Sequence, residues 1–367
     1  MTPVILTLNA GSSSLKFRVF SRDGLVRLAK GAVSRIGGAA TLKAGLTGSE
    51  EVPVPLAEGA DHAVALKGVL DWVMGHGADW QIGAVAHRIV HGGTKYTEST
   101  LVTPEVMADL EALIPYAPLH QPHGLEAIRA SDALLGHIPD VACFDTAFHT
   151  GRDPLFTHFA LPPELYEMGV RRYGFHGLSY QWLAHVLETD RPDLARGRVI
   201  AAHLGNGASL CALHDGRSVD TTMGMTAVDG VPMGTRSGAV DPGAILLLKR
   251  SFGMSLTKIE DLLYNRSGLL GLSGKSNDVA ALLADGSETS RFALDYFCMR
   301  VAQAAAGLAV SLGGVDALVF TGGIGENAAP IRERVAERLA PLGTFETLVI
   351  DANEERMMAM EALRLIG

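Results

Sequence analysis

The sequence predicts an α/β protein with an internal duplication, on three observations. Strand-length apolar runs alternate with amphipathic helix-length stretches along the chain. Two hairpin-like units, at residues 4–19 and 199–213, share the order strand, small-residue turn, strand. A third glycine-rich turn follows the apolar run Ala317 to Thr321. With 367 residues the chain exceeds the ~100–200 of one ordinary domain, so two domains, or one large elaborated one, are expected.

Val4 to Leu8 is β-branched and apolar, and Asn9 to Ser14 is small and polar. Leu15, Phe17 and Val19 then alternate with Lys16 and Arg18, which predicts a hairpin with one buried face. Next come helices around Val64 to Met74 and Pro104 to Leu113, with strands at Ile82 to Val90 and Val141 to Phe144. A helix at Leu178 to Leu187 leads to the second unit, where Val199 to Leu204 enters Gly205-Asn206-Gly207-Ala208-Ser209 and then Leu210 to Leu213. Further helices are read at Pro242 to Arg250, Thr289 to Leu312 and Pro330 to Leu339. The strand Ala317 to Thr321 runs into the turn Gly322 to Asn327, and the chain closes with a strand at Leu348 to Ile350 and a helix at Glu354 to Leu365. No low-complexity linker marks a boundary.

Composition narrows the function. Hydrophobic residues are 47% and charged ones 19%, which excludes a disordered or fibrous chain. The net charge of −9 removes the whole-chain basic footprint that nucleic acid or an anionic membrane requires, so any anionic substrate must be held by local arginines. Cys143, Cys211 and Cys298 are far apart and odd in number, favouring a reduced cytoplasm over a disulfide framework or a zinc ribbon. No apolar run reaches the ~18 residues of a membrane span, and the N-terminus lacks a signal-peptide pattern.

Several motifs carry chemistry. Asn9-Ala10-Gly11-Ser12-Ser13-Ser14 offers small side chains and backbone N–H groups for phosphate oxygens, with Lys16 as a nearby point charge. It enters a strand rather than a helix, so it is no P-loop; a serine-rich hairpin turn is the plainer account of it in isolation. The turns at His203-Leu204-Gly205-Asn206-Gly207 and Gly323-Ile324-Gly325-Glu326-Asn327 also let backbone approach a phosphate or nucleotide. His87 and His91 have the spacing of a helical metal pair, but they fall on a strand with Arg88 between them. Structural roles for the histidines and carboxylate or phosphate binding by Arg88 are expected. Asp145 ends an apolar strand, where either catalysis or turn capping would suit it. Arg171 to Gly177 gathers cations, an aromatic ring and His176 beside glycines, and Pro232 to Gly238 presents Arg236 on a conformationally special loop.

Taken in order, NAGSSSLKF from Asn9, HRIVHGG from His87, FDTAFH from Phe144, RRYGFHG from Arg171, HLGNG from His203, PMGTRSG from Pro232, SGLLGLSG from Ser267, GGIGEN from Gly322 and NEE from Asn353 closely resemble the acetokinase family, within the sugar kinase, Hsp70 and actin superfamily. The resemblance spans nearly the whole chain. It implies two duplicated ribonuclease H-like domains, each a five-stranded mixed sheet flanked by helices, with an interdomain cleft. The implied division is residues 1–147 plus 353–367, and residues 148–352 as a nucleotide-binding and dimerisation domain. The implied reaction is ATP + acetate ⇌ ADP + acetyl phosphate by direct in-line transfer, with Mg²⁺ or Mn²⁺ bridging phosphates.

Position by position, the resemblance makes Asn9 and Glu354 metal positions and Arg88 the binder of the substrate carboxylate. It makes Asp145 the catalytic aspartate and His176 and Arg236 transition-state stabilisers. Lys16, Ser12 and Ser14 fall on phosphate contacts; His203, Leu204, Gly205, Asn206 and Gly207 fall on the phosphate turn, with Asn206 also counted as catalytic. Asp278, Val279 and Ala280, together with Gly323 to Asn327, fall on the nucleoside site. Val90, Leu119 and Pro232 fall on the pocket for the substrate methyl, and His120 is a further substrate-binding position. A homodimer in the cytoplasm with small-molecule partners follows from the same resemblance.

Departures are local. Ala280 stands where the family commonly has Arg, Ala239 where an acidic residue is common, and Gly322 where Ala is common. A carboxylate substrate is already ionised at pH 7, so Asp145 is expected to orient a group rather than remove a proton. Propionate or butyrate kinase is the alternative within the class, because one methylene in an apolar pocket discriminates by only ~1–3 kcal/mol. A nucleotide-gated binding module is the alternative outside it, opposed by the joint presence of Arg88, Asp145, His176 and Arg236.

Overall fold

The computed structural model describes residues 2–11, 13–57, 59–77, 79–136 and 138–367. Two compact units emerge: the chain up to Phe148 together with Asn353–Gly367, and His149–Ala352.

The first unit is built on an eight-stranded sheet: β1 (Thr2–Ala10), β2 (Ser14–Ser21), β3 (Arg27–Ser34), β4 (Thr41–Leu46), β5 (Val52–Val54), β6 (Trp80–Ile89), β7 (Thr100–Leu101) and β8 (Asp140–Phe144), in the order β5-β4-β3-β2-β1-β6-β8-β7. β1 is buried without interruption from Val4 to Leu8, as a central strand covered on both faces must be. It pairs antiparallel with β2 and parallel with β6. In β2, Leu15, Phe17 and Val19 turn inward, so the alternation read from sequence becomes one wall of the core. That core is completed by α1 (His62–His76), which buries Leu66, Val69, Leu70 and Val73. Asp61 caps α1 by accepting from the Val64 N–H at 2.9 Å. A second core under β6 and β8 is filled from α2 (Pro104–Ala112) and α3 (Gln121–Leu135), through Val106, Leu110, Leu125 and Ile128.

The second unit carries a five-stranded sheet of β9 (Arg198–Leu204), β10 (Ala208–His214), β11 (Arg217–Thr221), β12 (Ala317–Thr321) and β13 (Glu346–Val349), ordered β11-β10-β9-β12-β13. The 25-residue helix Glu288–Leu312 packs on it, capped by Ser287 and stopped by Gly313 at φ +70°.

The duplication is visible in the pairings. β9 is antiparallel to β10 and parallel to β12, as β1 is to β2 and β6. The expectation of a five-stranded sheet in both domains is corrected for the first unit. There the strand pattern β3-β2-β1-β6-β8 is extended by β4 and β5 at one edge and by β7 at the other. β5 and β7 are three and two residues long, too short to show a period, whereas β4 alternates buried Leu42 and Ala44 with exposed Thr41 and Lys43. A second correction concerns Gly322–Asn327, expected as a turn: it forms a short helix directly after β12. Among the described residues no helix is long and apolar enough to cross a membrane, and Cys143, Cys211 and Cys298 are buried free thiols.

Candidate active site

In the first unit, chemistry gathers at the carboxyl ends of three adjacent parallel strands, where α/β sheets place ligands. Asn9 lies near the end of β1, Arg88 near the end of β6, and Asp145 directly after β8. Register puts Leu8 beside His87 and Ile89 beside Phe144, so the three side chains become neighbours through strand order alone. The Asp145 N–H donates to the Ile89 carbonyl at 3.0 Å, fixing the residue just beyond the strand.

Arg88 grips Asp145 through two nitrogens: Nη2 donates to Oδ2 at 2.6 Å and Nε to Oδ1 at 3.0 Å. Its Nη1 donates to Asn9 Oδ1 at 3.2 Å, and Asn9 Nδ2 donates to Glu354 Oε2 at 3.3 Å. Glu354 opens the terminal helix Glu354–Ile366, which Asn353 caps and which packs on β1 and β6. Burial opposes the Arg88 charge, but Asp145 and Glu354 outweigh it and hold the guanidinium above its ordinary pKa. Asp145 is only 1% exposed, so the pair is desolvated at the carboxylate end. Burial pushes the Glu354 carboxyl up to about 7, with Arg88 and Lys16 opposing and Asp145 and Glu355 adding to the rise.

An anion-rich group of oxygen donors in which one carboxyl is driven toward protonation is a place that gains from a cation. Asn9, Asp145 and Glu354 offer only hard oxygen ligands, the preference of Mg²⁺-class ions. The residues therefore fit a divalent metal. Around them, Lys16 is exposed on β2 opposite Asn9, and Ser14 begins β2 with its carbonyl accepting from the Gly11 N–H at 2.8 Å. Ser12 lies outside the described residues. Val90 is buried, and Leu119 and His120 are half-buried just before α3.

His87 and His91 take the structural roles expected of them. His87 Nε2 bonds to buried Asp140 at 2.7 Å, and Asp140 also accepts from Ser131. His91 Nδ1 accepts from the Gly93 N–H at 2.9 Å, and burial lowers its pKa to about 4.

The second unit repeats the placement. The turn Gly205–Gly207 leaves the end of β9, and the helix Gly322–Asn327 leaves the end of β12 beside it, with Thr321 in register with His203. Gly205 N–H donates to the Gly207 carbonyl at 2.9 Å. His176 holds a left-handed backbone at φ +57° as the cap of helix Gly177–Asp190. Its ring stacks on His203 at 4.4 Å, and its Nδ1 bonds to Ser209 Oγ at 2.8 Å. The other ring nitrogen, Nε2, faces Gly207: a Cβ there would lie 3.1 Å from it and 3.9 Å from Arg236 Nη1. Glycine at 207 thus lets an imidazole and a guanidinium approach one stretch of backbone.

Arg236 is held by its Nη1 donation to the Ala227 carbonyl at 3.0 Å and lies over the Tyr264 ring at 6.0 Å. The Pro232–Arg236 loop is tied to the turn by Gly234 N–H donating to the Asn206 carbonyl at 3.1 Å. Pro232 is buried, and Asn206 is exposed with its Oδ1 accepting from Asn277 at 3.4 Å. Leu204 is buried as the last residue of β9.

Other expected nucleotide residues already serve the fold. Asp278 caps the helix Val279–Asp285 by accepting from the Ala281 N–H at 2.7 Å, with Val279 buried and Ala280 exposed. Glu326 Oε1 accepts from the Gly322 and Ala352 N–H groups at 2.9 and 2.8 Å, while the carbonyls of Gly323, Ile324 and Gly325 accept from Asn327 Nδ2, the Ala328 N–H and Arg332 Nη1, so that Gly323 and Asn327 are the exposed residues of that segment. Ser209, which orients His176 and also bonds Tyr180 at 2.6 Å, escaped the reading of the sequence. Its signal was its pairing with His203 across the hairpin.

Phosphate-suited backbone turns, paired cations and a carboxylate-bound arginine define a phosphotransferase acting on a carboxyl group, and comparison with known proteins gives the same class. The Acetokinase family matches residues 4–362, and the chain belongs to it. Acetate kinase of Nitrobacter hamburgensis is 45% identical, covering 99% of this chain and 96% of its own length. Acetate kinase of Rhodopseudomonas palustris is 46% identical, covering 96% and 90%. Among solved structures, a propionate kinase from Francisella tularensis superposes with a TM-score of 0.91 at 35% identity, covering both chains fully. Porphyromonas gingivalis acetate kinase gives 0.89 at 34%, again over both whole chains. The family uses ATP and ADP as substrates together with a divalent metal.

Proposed function

We propose that this protein catalyses the reversible transfer of the ATP γ-phosphoryl group to acetate, giving acetyl phosphate and ADP. The observation that carries the reading is the row Asn9, Arg88, Asp145 at three adjacent strand ends, closed by Glu354. The similar acetate kinases of Nitrobacter hamburgensis and Rhodopseudomonas palustris support the acyl group.

Arg88 binds the acceptor carboxylate, since a guanidinium can keep Asp145 on one edge and meet a substrate oxygen with another. Asp145 sets the orientation of Arg88. It removes no proton, because acetate reaches the site ionised and attacks as it is. Val90, Leu119 and Pro232 supply apolar surface for the methyl, with His120 beside Leu119. His176, through Nε2, and Arg236 donate to the oxygens of the phosphoryl group as charge develops there, and Asn206 with the Gly205–Gly207 backbone positions the phosphate chain. Lys16 and Ser14 contribute to the same charge balance, and the Gly323–Asn327 backbone with Asp278 to Ala280 accepts the nucleoside. Asn9 and Glu354 would hold Mg²⁺, or Mn²⁺ in its place, and the chemistry such an ion would supply there is neutralisation of phosphate charge.

A cytoplasmic homodimer is part of this proposal, supported for the compartment by the unpaired buried thiols. Its test is ADP formation from Mg-ATP with acetate, propionate and butyrate, the acyl phosphate being trapped as hydroxamate. Acetate should give the highest kcat/KM. A maximum at propionate would move the assignment to the alternative favoured by the Francisella tularensis structure, and ATP binding without turnover would reject the reading.

A further inference from the structure

Among the described residues, His62, His123 and Glu126 place their ligand atoms within 4.8 Å of one another, away from the row of Asn9, Arg88 and Asp145 in sequence and in element. His62 is the first residue of α1, and His123 and Glu126 lie three apart on one face of α3, which packs against α1. The two imidazoles stack at 4.4 Å with an interplanar angle of 18°. Glu126 Oε2 stands 3.9 Å from His62 Nδ1 and 3.7 Å from His123 Nδ1, too far for hydrogen bonds.

The protonation pattern follows from neighbours. His62 Nε2 lies 2.7 Å from the Gly11 carbonyl, which can only accept, so Nε2 carries a hydrogen and Nδ1 is the ring nitrogen left facing Glu126. Metal-binding histidines are fixed in this way, by donating the second ring nitrogen to a carbonyl or carboxylate. His123 Nδ1 is buried and has no hydrogen-bond partner, a cost that a stacked histidine pair would avoid by turning its ring. Two inward nitrogens and a carboxylate, with a fourth position open to water, form a ligand set typical of zinc.

We propose that His62, His123 and Glu126 bind one zinc-class divalent transition-metal ion, at a site separate from the oxygen donors Asn9, Asp145 and Glu354. Ligand atoms around such an ion stand about 3.3 Å apart, closer than the 3.9 and 3.7 Å that separate Glu126 from the two imidazoles, so binding draws the three side chains together. Glu126 is exposed and has the freedom to move. The ion would join the starts of α1 and α3 and, through His62 and Gly11, stiffen the β1–β2 turn. Burial, with a smaller contribution from His62, lowers the His123 pKa, which favours the neutral ring a metal requires.

The test uses tag-free, chelator-treated full-length protein titrated with Co²⁺ as a visible probe, followed by Zn²⁺ and by Mg²⁺. One Co²⁺ per chain should appear with the intense absorption of four-coordination, displaced by Zn²⁺ and not by excess Mg²⁺, and Zn²⁺ should raise Tm by a few degrees. His123→Ala and Glu126→Gln should each weaken Co²⁺ binding at least tenfold and abolish the Tm rise, whereas Glu354→Gln should leave the Co²⁺ spectrum unchanged. Glu126→Gln alters an exposed side chain and decides the matter if His123→Ala folds poorly. Absence of bound Co²⁺ at micromolar concentration, or an unchanged spectrum and affinity in Glu126→Gln and His123→Ala, would overturn the site.

Discussion

At the scale of single residues, the first unit concentrates its chemistry on one guanidinium with three obligations. Arg88 pairs with Asp145 through two nitrogens and reaches Asn9 with a third. A lysine keeps the charge but is a point donor that cannot span both partners. Arg88→Lys is therefore expected to raise KM for the carboxylate about 10- to 100-fold, the loss of one or two charge-assisted hydrogen bonds, while KM for ATP changes little. Equal KM values in the variant and the parent would remove Arg88 from the acceptor site. Arg236 makes the complementary case in the second unit, where its anchor on Ala227 and its approach to Gly207 place it beside the turn without burying it. Arg236→Ala should cut kcat by about 10²- to 10³-fold with ATP affinity largely retained, measured by steady-state kinetics and nucleotide titration. An unchanged kcat would end its role as a transition-state donor.

At the scale of elements, the loops at the strand ends are shaped by contacts that admit no side chain. Gly268, at φ +60°, starts the helix Gly268–Ser273, and a Cβ there would lie 2.1 Å from the Met233 carbonyl oxygen and 2.7 Å from that of Arg236. Both obstacles are backbone, so neither can swing away. Gly268→Ala should cost about 2 kcal/mol or more, from the left-handed conformation and the displaced loop together, and should lower kcat by moving Arg236. Urea unfolding and kcat on the same preparation would show both; a variant with parental values would mean the loop accommodates freely. The sequence made the long elements legible because their periods were intact: the alternating Leu15, Phe17, Val19 and the capped, amphipathic α1. It hid α3, whose first turn contains Pro122 and Gly124 and whose N-cap His120 gives no Ser, Thr, Asp or Asn signal. Motifs named Asn9, Arg88 and Asp145 from the sequence. Their adjacency depends on the order β1-β6-β8, which no local pattern encodes. His62, His123 and Glu126 are still further from legibility, since two helices distant in sequence must pack before they meet.

At the scale of the whole molecule, both units bury a neutral histidine, and this fixes how stability must respond to acid. In the second unit His149 is 2% exposed, with Nε2 against the Phe175 carbonyl at 2.9 Å and Nδ1 against Ser218 Oγ at 2.8 Å. Burial, reinforced by Arg152 and partly opposed by the Phe175 hydrogen bond, lowers its pKa to about 3. His91 in the first unit is lowered by burial to about 4. Above pH ~6.5 such a histidine is neutral both folded and unfolded, so it adds no pH dependence. Below that value the unfolded chain takes up a proton that the native state refuses, and stability falls as pH falls until the native group titrates. Each pH unit in that window costs about 1.4 kcal/mol per histidine, or about 2 kcal/mol between pH 6.5 and 5. Replacing His149 by Gln removes one titrating group: the variant should be less stable at pH 7, through lost packing and hydrogen bonds, yet lose about 2 kcal/mol less than the parent on going to pH 5. Chemical unfolding at the two pH values measures this difference of differences, in which the constant cost of the substitution cancels. Parallel acid responses in parent and variant would show that His149 takes up its proton over the same pH range folded as unfolded.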